Sequence, residues 1–131
     1  MATIRRFEDL EVWQLARQMS KDIWEISSKG KFAKDWGLRG LINEASGSDM
    51  DNIAEGFGRG GNREFINFLG YSRGSNDGVR SQIYRAFDRK HIDNSTYENL
   101  LNQSKTAGTK TKNLIEYLRK SGLKGQKFKK D

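Results

Sequence analysis

The 131-residue chain has no cysteine and no proline, a single histidine (His91) and only two valines. Without cysteine there is neither a disulfide nor a thiolate metal site, and a histidine-based catalytic pair has one candidate. Without proline, the residue that most often kinks or ends a helix is missing, so helices are free to run long. No stretch approaches the ~18 apolar residues that cross a bilayer, and the opening MATIRRFEDLEVW lacks the apolar run of a secretory signal. A soluble, cytoplasmic protein of one domain is expected. Large apolar residues are also scarce: Leu, Ile, Val and Phe make up 28 of 131 residues, close to the ~20% below which highly charged chains tend to stay disordered. Burying surface against further copies of itself would relieve that shortage.

Positive charge is abundant and uneven. The net charge is +7, yet residues 1–58 carry 8 basic and 10 acidic residues while residues 59–131 carry 16 and 7. Such asymmetry suits nucleic acid or another anionic partner, or else serves solubility. The residues placed to meet phosphate are Arg59, Arg63, Arg73, Arg80, Arg85, Arg89 and Lys90, followed by Lys110, Lys112, Arg119, Lys120 and the lysines near the end of the chain. By helical angle Arg73 and Arg80 share a line while Arg85 and Arg89 fall on another, so one continuous patch is expected only on assembly.

Apolar periodicity predicts an all-α fold, an antiparallel up-and-down four-helix bundle over residues 1–122, with a basic flexible tail at 123–131. The first helix spans 9–28, with Val12, Leu15, Ala16, Met19, Ile23 and Ile26 on its core stripe. Trp13 and Trp24 form a second line, which either widens the core or meets another subunit. A Lys- and Gly-rich loop follows at 29–34. The second helix starts at Trp36 behind Asp35 as N-cap and ends at Gly56, with Leu38, Leu41, Ile42, Ala45, Asn52 and Gly56 facing inward. Asn52 falls where an aliphatic residue belongs. The third helix runs from an Asn62 cap to Lys90, with Phe65, Phe68, Leu69, Val79, Ile83, Ala86 and Phe87 inward. Its middle is polar, and Ser72, Ser75 and Asn76 are expected to meet Asn52 in a register-fixing layer. The fourth helix opens on a capping box from Ser95 to Glu98 and carries Tyr97, Leu101, Ser104, Gly108, Thr111, Ile115 and Leu118 to its end at Gly122.

Gly56, Gly58 and Gly61 spell G-x-G-x-x-G. A dinucleotide fingerprint needs a strand before that loop, and a helix stands there instead; no Lys-Ser/Thr pair follows for a Walker loop. Two readings remain: a helix-hairpin turn in which Gly58, Gly60 and Gly61 allow positive φ and Glu55 pairs with Arg59, or a phosphate held by the next helix N-terminus with Arg59 and Arg63.

FEDLEVWQLAR (Phe7 to Arg17), Ser48 followed by NIAEGFGR (Asn52 to Arg59), NREFINFL (Asn62 to Leu69) and the Gly74-Ser75 pair resemble the bacterial four-helix-bundle proteins of 23S ribosomal RNA intervening sequences. The resemblance covers nearly the whole chain and marks Ser48, Asn52, Glu55, Gly56, Arg59, Gly74 and Ser75 as motif positions. It implies a homo-oligomer, generally a pentamer, with no cofactor and no established catalytic activity. It further implies similarity to the accessory bundle proteins of diversity-generating retroelements, which bind RNA and a reverse transcriptase. The chain departs from the pattern at Asp49, usually apolar; at Asn43 and Glu44, near which basic residues are usual; and at Gly78, usually Glu.

Two functions follow as expectations. The first is a non-enzymatic homo-oligomer that binds RNA or another nucleic acid through its basic surface. The second is a protein-interaction scaffold or accessory subunit that presents Trp13 and Trp24 to itself or to a protein partner. An enzyme is disfavoured: Asp49, Asp51 and Glu55 cluster near Asn52, but no nucleophile with a matched base accompanies them. His91 is expected to cap the third helix against its dipole. No metal or membrane partner is expected.

Overall fold

In the computed structural model residues 4–121 are described. After a 3₁₀ turn at Phe7–Asp9 come α1 (Glu11–Ser27), the single turn α2 (Gly30–Ala33), α3 (Trp36–Gly58), α4 (Asn62–Asp88) and α5 (Asn94–Ser121). The four long helices form an antiparallel bundle in which α1 packs on α3, α3 on α4, α4 on α5, and α5 closes the ring on α1. The 29–34 stretch is thus not only a loop. Phe32 on its helical turn is 2% exposed and belongs to the core.

The helix ends differ from the expected caps in instructive ways. Asp35 accepts from the Leu38 backbone N–H, as expected of an N-cap. Asn62 does not cap α4; it is the first helical residue, and its buried Nδ2 donates across the bundle to the Leu118 carbonyl. The α5 cap is Asp93, whose Oδ1 accepts from Thr96 N at 2.8 Å, rather than Ser95. That backbone N–H holds the Asp93 carboxyl below its ordinary pKa. The helix starts at Asn94, so Ser95 already lies inside its first turn and Asp93 is the residue that precedes the first free N–H groups.

Along α3 the inward line is Leu38, Ile42, Ser46, Asp49, Ile53, Gly56 and Phe57. This corrects the expected stripe: Leu41 is 44% exposed and Asn52 only half-buried, whereas Asp49 is 2% exposed. Gly56 sits inside the helix, which continues to Gly58. A Cβ built on Gly56 would overlap the Phe68 Cβ and come within 3.2 Å of the Phe65 ring, so the glycine lets α3 and α4 approach closely just before their turn. On α4, Phe65, Leu69, Val79, Ile83 and Ala86 are buried, with Phe68 and Phe87 half-buried.

The core separates into two apolar clusters. One, around Met19, Ile23, Phe32, Leu38, Ile42, Val79 and Ile83, fills the end near the α4–α5 connection. The other, around Val12, Ala16, Ile53, Phe57, Phe65, Leu69, Ile115 and Leu118, fills the end near the α3–α4 turn. Between them lies a layer of buried polar side chains: Ser46, Asp49, Ser72, Asn76, Ser104 and Thr111.

Candidate nucleic-acid interface

The polar layer is where α4 departs most from an aliphatic helix, and its bonding explains the sequence. Ser72 Oγ donates to Asp49 Oδ1 at 2.5 Å, while Asp49 Oδ2 is buried without a partner. Burial with only one oxygen satisfied raises the Asp49 carboxyl to a pKa of about 6, an effect the Ser72 bond partly opposes. Asn52 is not the residue that meets α4. Its Nδ2 binds the Ser48 carbonyl and hydroxyl on its own helix, and Ser48 in turn accepts from Ser75 Oγ at 3.0 Å. On the other side Asn76 Nδ2 donates to the Ser104 carbonyl, Ser104 Oγ donates to Asn76 Oδ1, and Arg80 Nη1 reaches Ser104 Oγ at 3.2 Å. The layer therefore runs from the α3 side of the bundle through to the α4–α5 surface.

At that surface two open depressions run in sequence along α4 and α5. One, about 420 Å³, is lined by Arg73, Asn76, Asp77, Arg80, Lys105 and Lys112 among others. The next, about 490 Å³, has Arg73 and Lys112 in common with it and adds Tyr71, Ile115, Glu116 and Arg119. Together they make one groove with five cations and two carboxylates. Arg73 and Arg80 are seven residues apart on α4, as are Lys105, Lys112 and Arg119 on α5, and seven residues bring a side chain back to nearly the same helix face. Arg80 is held by Asp77 at 2.8 Å. Among the described residues Arg73, Lys105, Lys112 and Arg119 form no ion pair.

Facing lines on two antiparallel helices of one chain form this groove, and it leaves out Arg85 and Arg89, which the helical angles place on another line of α4. Of the expected phosphate contacts it gathers Arg73, Arg80, Lys112 and Arg119. Lys105 was missed, although its seven-residue spacing to Lys112 was visible. Lys110, two residues off that line, pairs with Glu11 at 3.1 Å and borders a mostly apolar groove against the N-terminal segment. Arg59 lies over the Phe68 ring, 4.8 Å from its centroid, and its expected pair with Glu55 is not among the ion pairs of the described residues. Arg63 is exposed on the first turn of α4, Arg85 and Lys90 are exposed near its other end, and Lys120 is exposed near the end of α5. Arg89 is tied to Asp35 at 2.8 Å.

His91 shares that carboxylate. Its Nε2 lies 2.8 Å from Asp35 Oδ2, and its ring stacks on Phe32. It therefore clamps the α4–α5 connection to the start of α3 instead of capping α4. The His91 and Arg89 bonds, in that order, hold the Asp35 carboxyl down to about 2.

The glycine loop forms a turn. Of its glycines Gly60 alone has positive φ, at 87°, while Gly61 is extended at −121°. Glu55 and Gly74 of the family motif are exposed, and Ser48, Asn52 and Ser75 form the local polar chain described above. Trp13 is half-buried against Phe7 in an edge-to-face contact, and Trp24 is 56% exposed beneath Arg39. Trp36, 75% exposed, and Leu41 add to the uncovered apolar surface of the α1–α3 side. The residues from 122 onward, including Gly122 and the basic tail, lie outside the described residues. No described helix is long and apolar enough to cross a membrane.

Fold and groove together define the class: a small all-helical bundle protein with a cationic channel between its last two helices. The chain belongs to the 23S rRNA-intervening sequence protein family, whose model matches residues 8–113. Its fold is similar to that of a Bacteroides thetaiotaomicron VPI-5482 protein of unknown function from the S23 ribosomal protein family. That structure superposes with a TM-score of 0.73 at 17% identity, over 80% of this chain and 98% of the other. No curated protein matches the chain.

Proposed function

We propose that the protein is a non-enzymatic, cytoplasmic, homo-oligomeric bundle that binds RNA or another nucleic acid by its phosphates, with the α4–α5 groove as the contact. The observation that carries this reading is the convergence of Arg73, Arg80, Lys105, Lys112 and Arg119 on one groove, four of them without an acidic partner among the described residues. Cations held this way meet backbone phosphates as point charges or forks and read no base edges. Binding is accordingly tolerant of sequence and sensitive to salt. A pentamer, as the family resemblance implies, would repeat the groove around an axis and multiply its affinity through simultaneous contacts.

Fluorescence anisotropy with labelled RNA across a salt series tests the reading. Four released counterions give a log–log salt slope of about −3 at ~0.7 per phosphate on a single strand. The double variant Arg73→Glu, Lys112→Glu should lose most of the binding and flatten that slope, whereas Arg85→Glu should change little. Absence of binding by the native chain at low salt would make the charge a solubility feature. It would leave the scaffold reading, supported by the uncovered Trp24, Trp36 and Leu41 surface.

A further inference from the structure

The groove is not only basic. Tyr71, 59% exposed, lines it beside Arg73 and Lys112, and its neighbour in the lining is Gly70. The Tyr71 ring meets Phe68 edge-to-face at 5.4 Å between centroids, and Phe68 is itself covered by Arg59. A large exposed aromatic is thus braced from one side and left open to solvent. Gly70 has no packing reason to be glycine: a Cβ there would meet nothing within 4 Å. A glycine inside a helix costs ~1 kcal/mol relative to alanine, and here its effect is to keep the surface next to the Tyr71 ring free of side-chain bulk.

A duplex presents phosphates to a basic groove but keeps its base faces stacked inside, out of reach of a tyrosine ring. A single strand offers both phosphates and base faces, and proteins that bind it combine a cationic track with aromatic platforms. From Ile66 to Arg80 the α4 wall of the groove is about 21 Å long at ~1.5 Å per residue. That accommodates roughly six phosphates at the ~3.4 Å per-strand spacing of stacked nucleic acid, and fewer if the strand is extended.

We infer that the α4–α5 groove is a binding track for single-stranded nucleic acid, in which a base stacks on Tyr71 over the space left by Gly70 while Arg73, Lys112 and their neighbours hold the adjoining phosphates. This rests on the phosphate-binding reading above and narrows it to one form of ligand. Tyr117, the exposed tyrosine of α5, lines the apolar groove on the opposite flank and takes no part.

The test uses the full-length protein with two fluorescein-labelled probes, a single-stranded oligouridine and an RNA duplex of equal length, and the variants Tyr71→Ala and Tyr71→Phe. The native chain should prefer the single strand. Tyr71→Ala should weaken single-strand binding by about 5- to 150-fold, the range of one lost base–aromatic stack. Its duplex affinity and salt slope should stay as they were, because no charge is removed. Tyr71→Phe keeps the ring and should bind within about twofold of native. Thermal melting of both variants checks that the fold is intact. Equal loss for both probes, or no loss for the single strand, overturns the stacking role while leaving the phosphate reading in place. Failure of the native chain to bind either probe at low salt overturns the phosphate reading, and the inference with it.

Discussion

The two ends of the bundle and its waist are built by different chemistry. At the ends, aliphatic and aromatic side chains from all four long helices fill the interior, and their contacts are non-directional. At the waist, Asp49, Ser72, Asn76 and Ser104 leave few ways for α3, α4 and α5 to fit, because their hydrogen bonds form only at defined distances and of their buried side-chain atoms Asp49 Oδ2 alone goes without one. The ends supply stability and the waist supplies register. Aliphatic ends alone would tolerate a helix slid by one turn. A slide of α5 past α4 would separate the reciprocal Asn76–Ser104 bonds and displace Lys112 from Arg73, so the register that satisfies the waist is also the one that assembles the groove.

The sharpest way to test this contrast is to remove mass from an end. Phe65→Ala deletes a ring that is 1% exposed and packs edge-to-face on Phe57. It should cost about 3–5 kcal/mol in urea unfolding. A loss under about 1 kcal/mol would mean that the waist, not the ends, carries the fold.

The next effect is tied to pH and belongs to the waist. Asp49 titrates at about 6 in the fold against an ordinary 3.8. Because the folded value lies above the unfolded one, the protonated carboxyl's contribution is fully present below the ordinary pKa and is lost as pH rises through about 6. The full loss is of the order of 3 kcal/mol. Stability of the native chain relative to Asp49→Asn should therefore fall between about pH 4 and pH 7, with the amide variant the more stable at the upper end. Parallel stability curves for the two proteins would show that the carboxylate is solvated after all.

The smallest expected effect lies at the edge of the waist. Ser75→Ala removes a half-buried hydroxyl bond to Ser48 and should cost no more than about 1 kcal/mol. A larger loss would extend the register-setting layer to this outer pair.

The all-α bundle was legible in the sequence because its helices are long and strongly periodic where they are apolar. The 3.6-residue repeat of Val12, Ala16, Met19 and Ile23 located α1's buried face correctly. On α3 the same reasoning failed by one helical position. Ser46 and Asp49 are polar, so the inferred stripe runs past them through Leu41, Ala45 and Asn52 instead. No one-dimensional pattern shows that a carboxyl will be buried with a serine from another helix as its partner. Polar residues on α4's inward face were visible, and the layer was expected, but its α3 member depended on a contact between helices. The Asn62 tie to Leu118 escaped for the same reason: an asparagine after a glycine loop reads as a cap until the distant carbonyl is known. The groove was half legible. Its cations were named apart from Lys105, but pairing the Arg73–Arg80 line with the Lys112–Arg119 line required knowing that α4 and α5 are antiparallel neighbours in this register.

The placement of the tryptophans gives the molecule a division of optical labour. All three indoles, Trp13, Trp24 and Trp36, lie on α1 and at the start of α3, in surroundings graded from half-buried to 75% exposed. None lines the basic groove. Tryptophan emission therefore reports on folding and on anything that covers the α1–α3 side, while the groove, with no indole in its lining, is silent in that band.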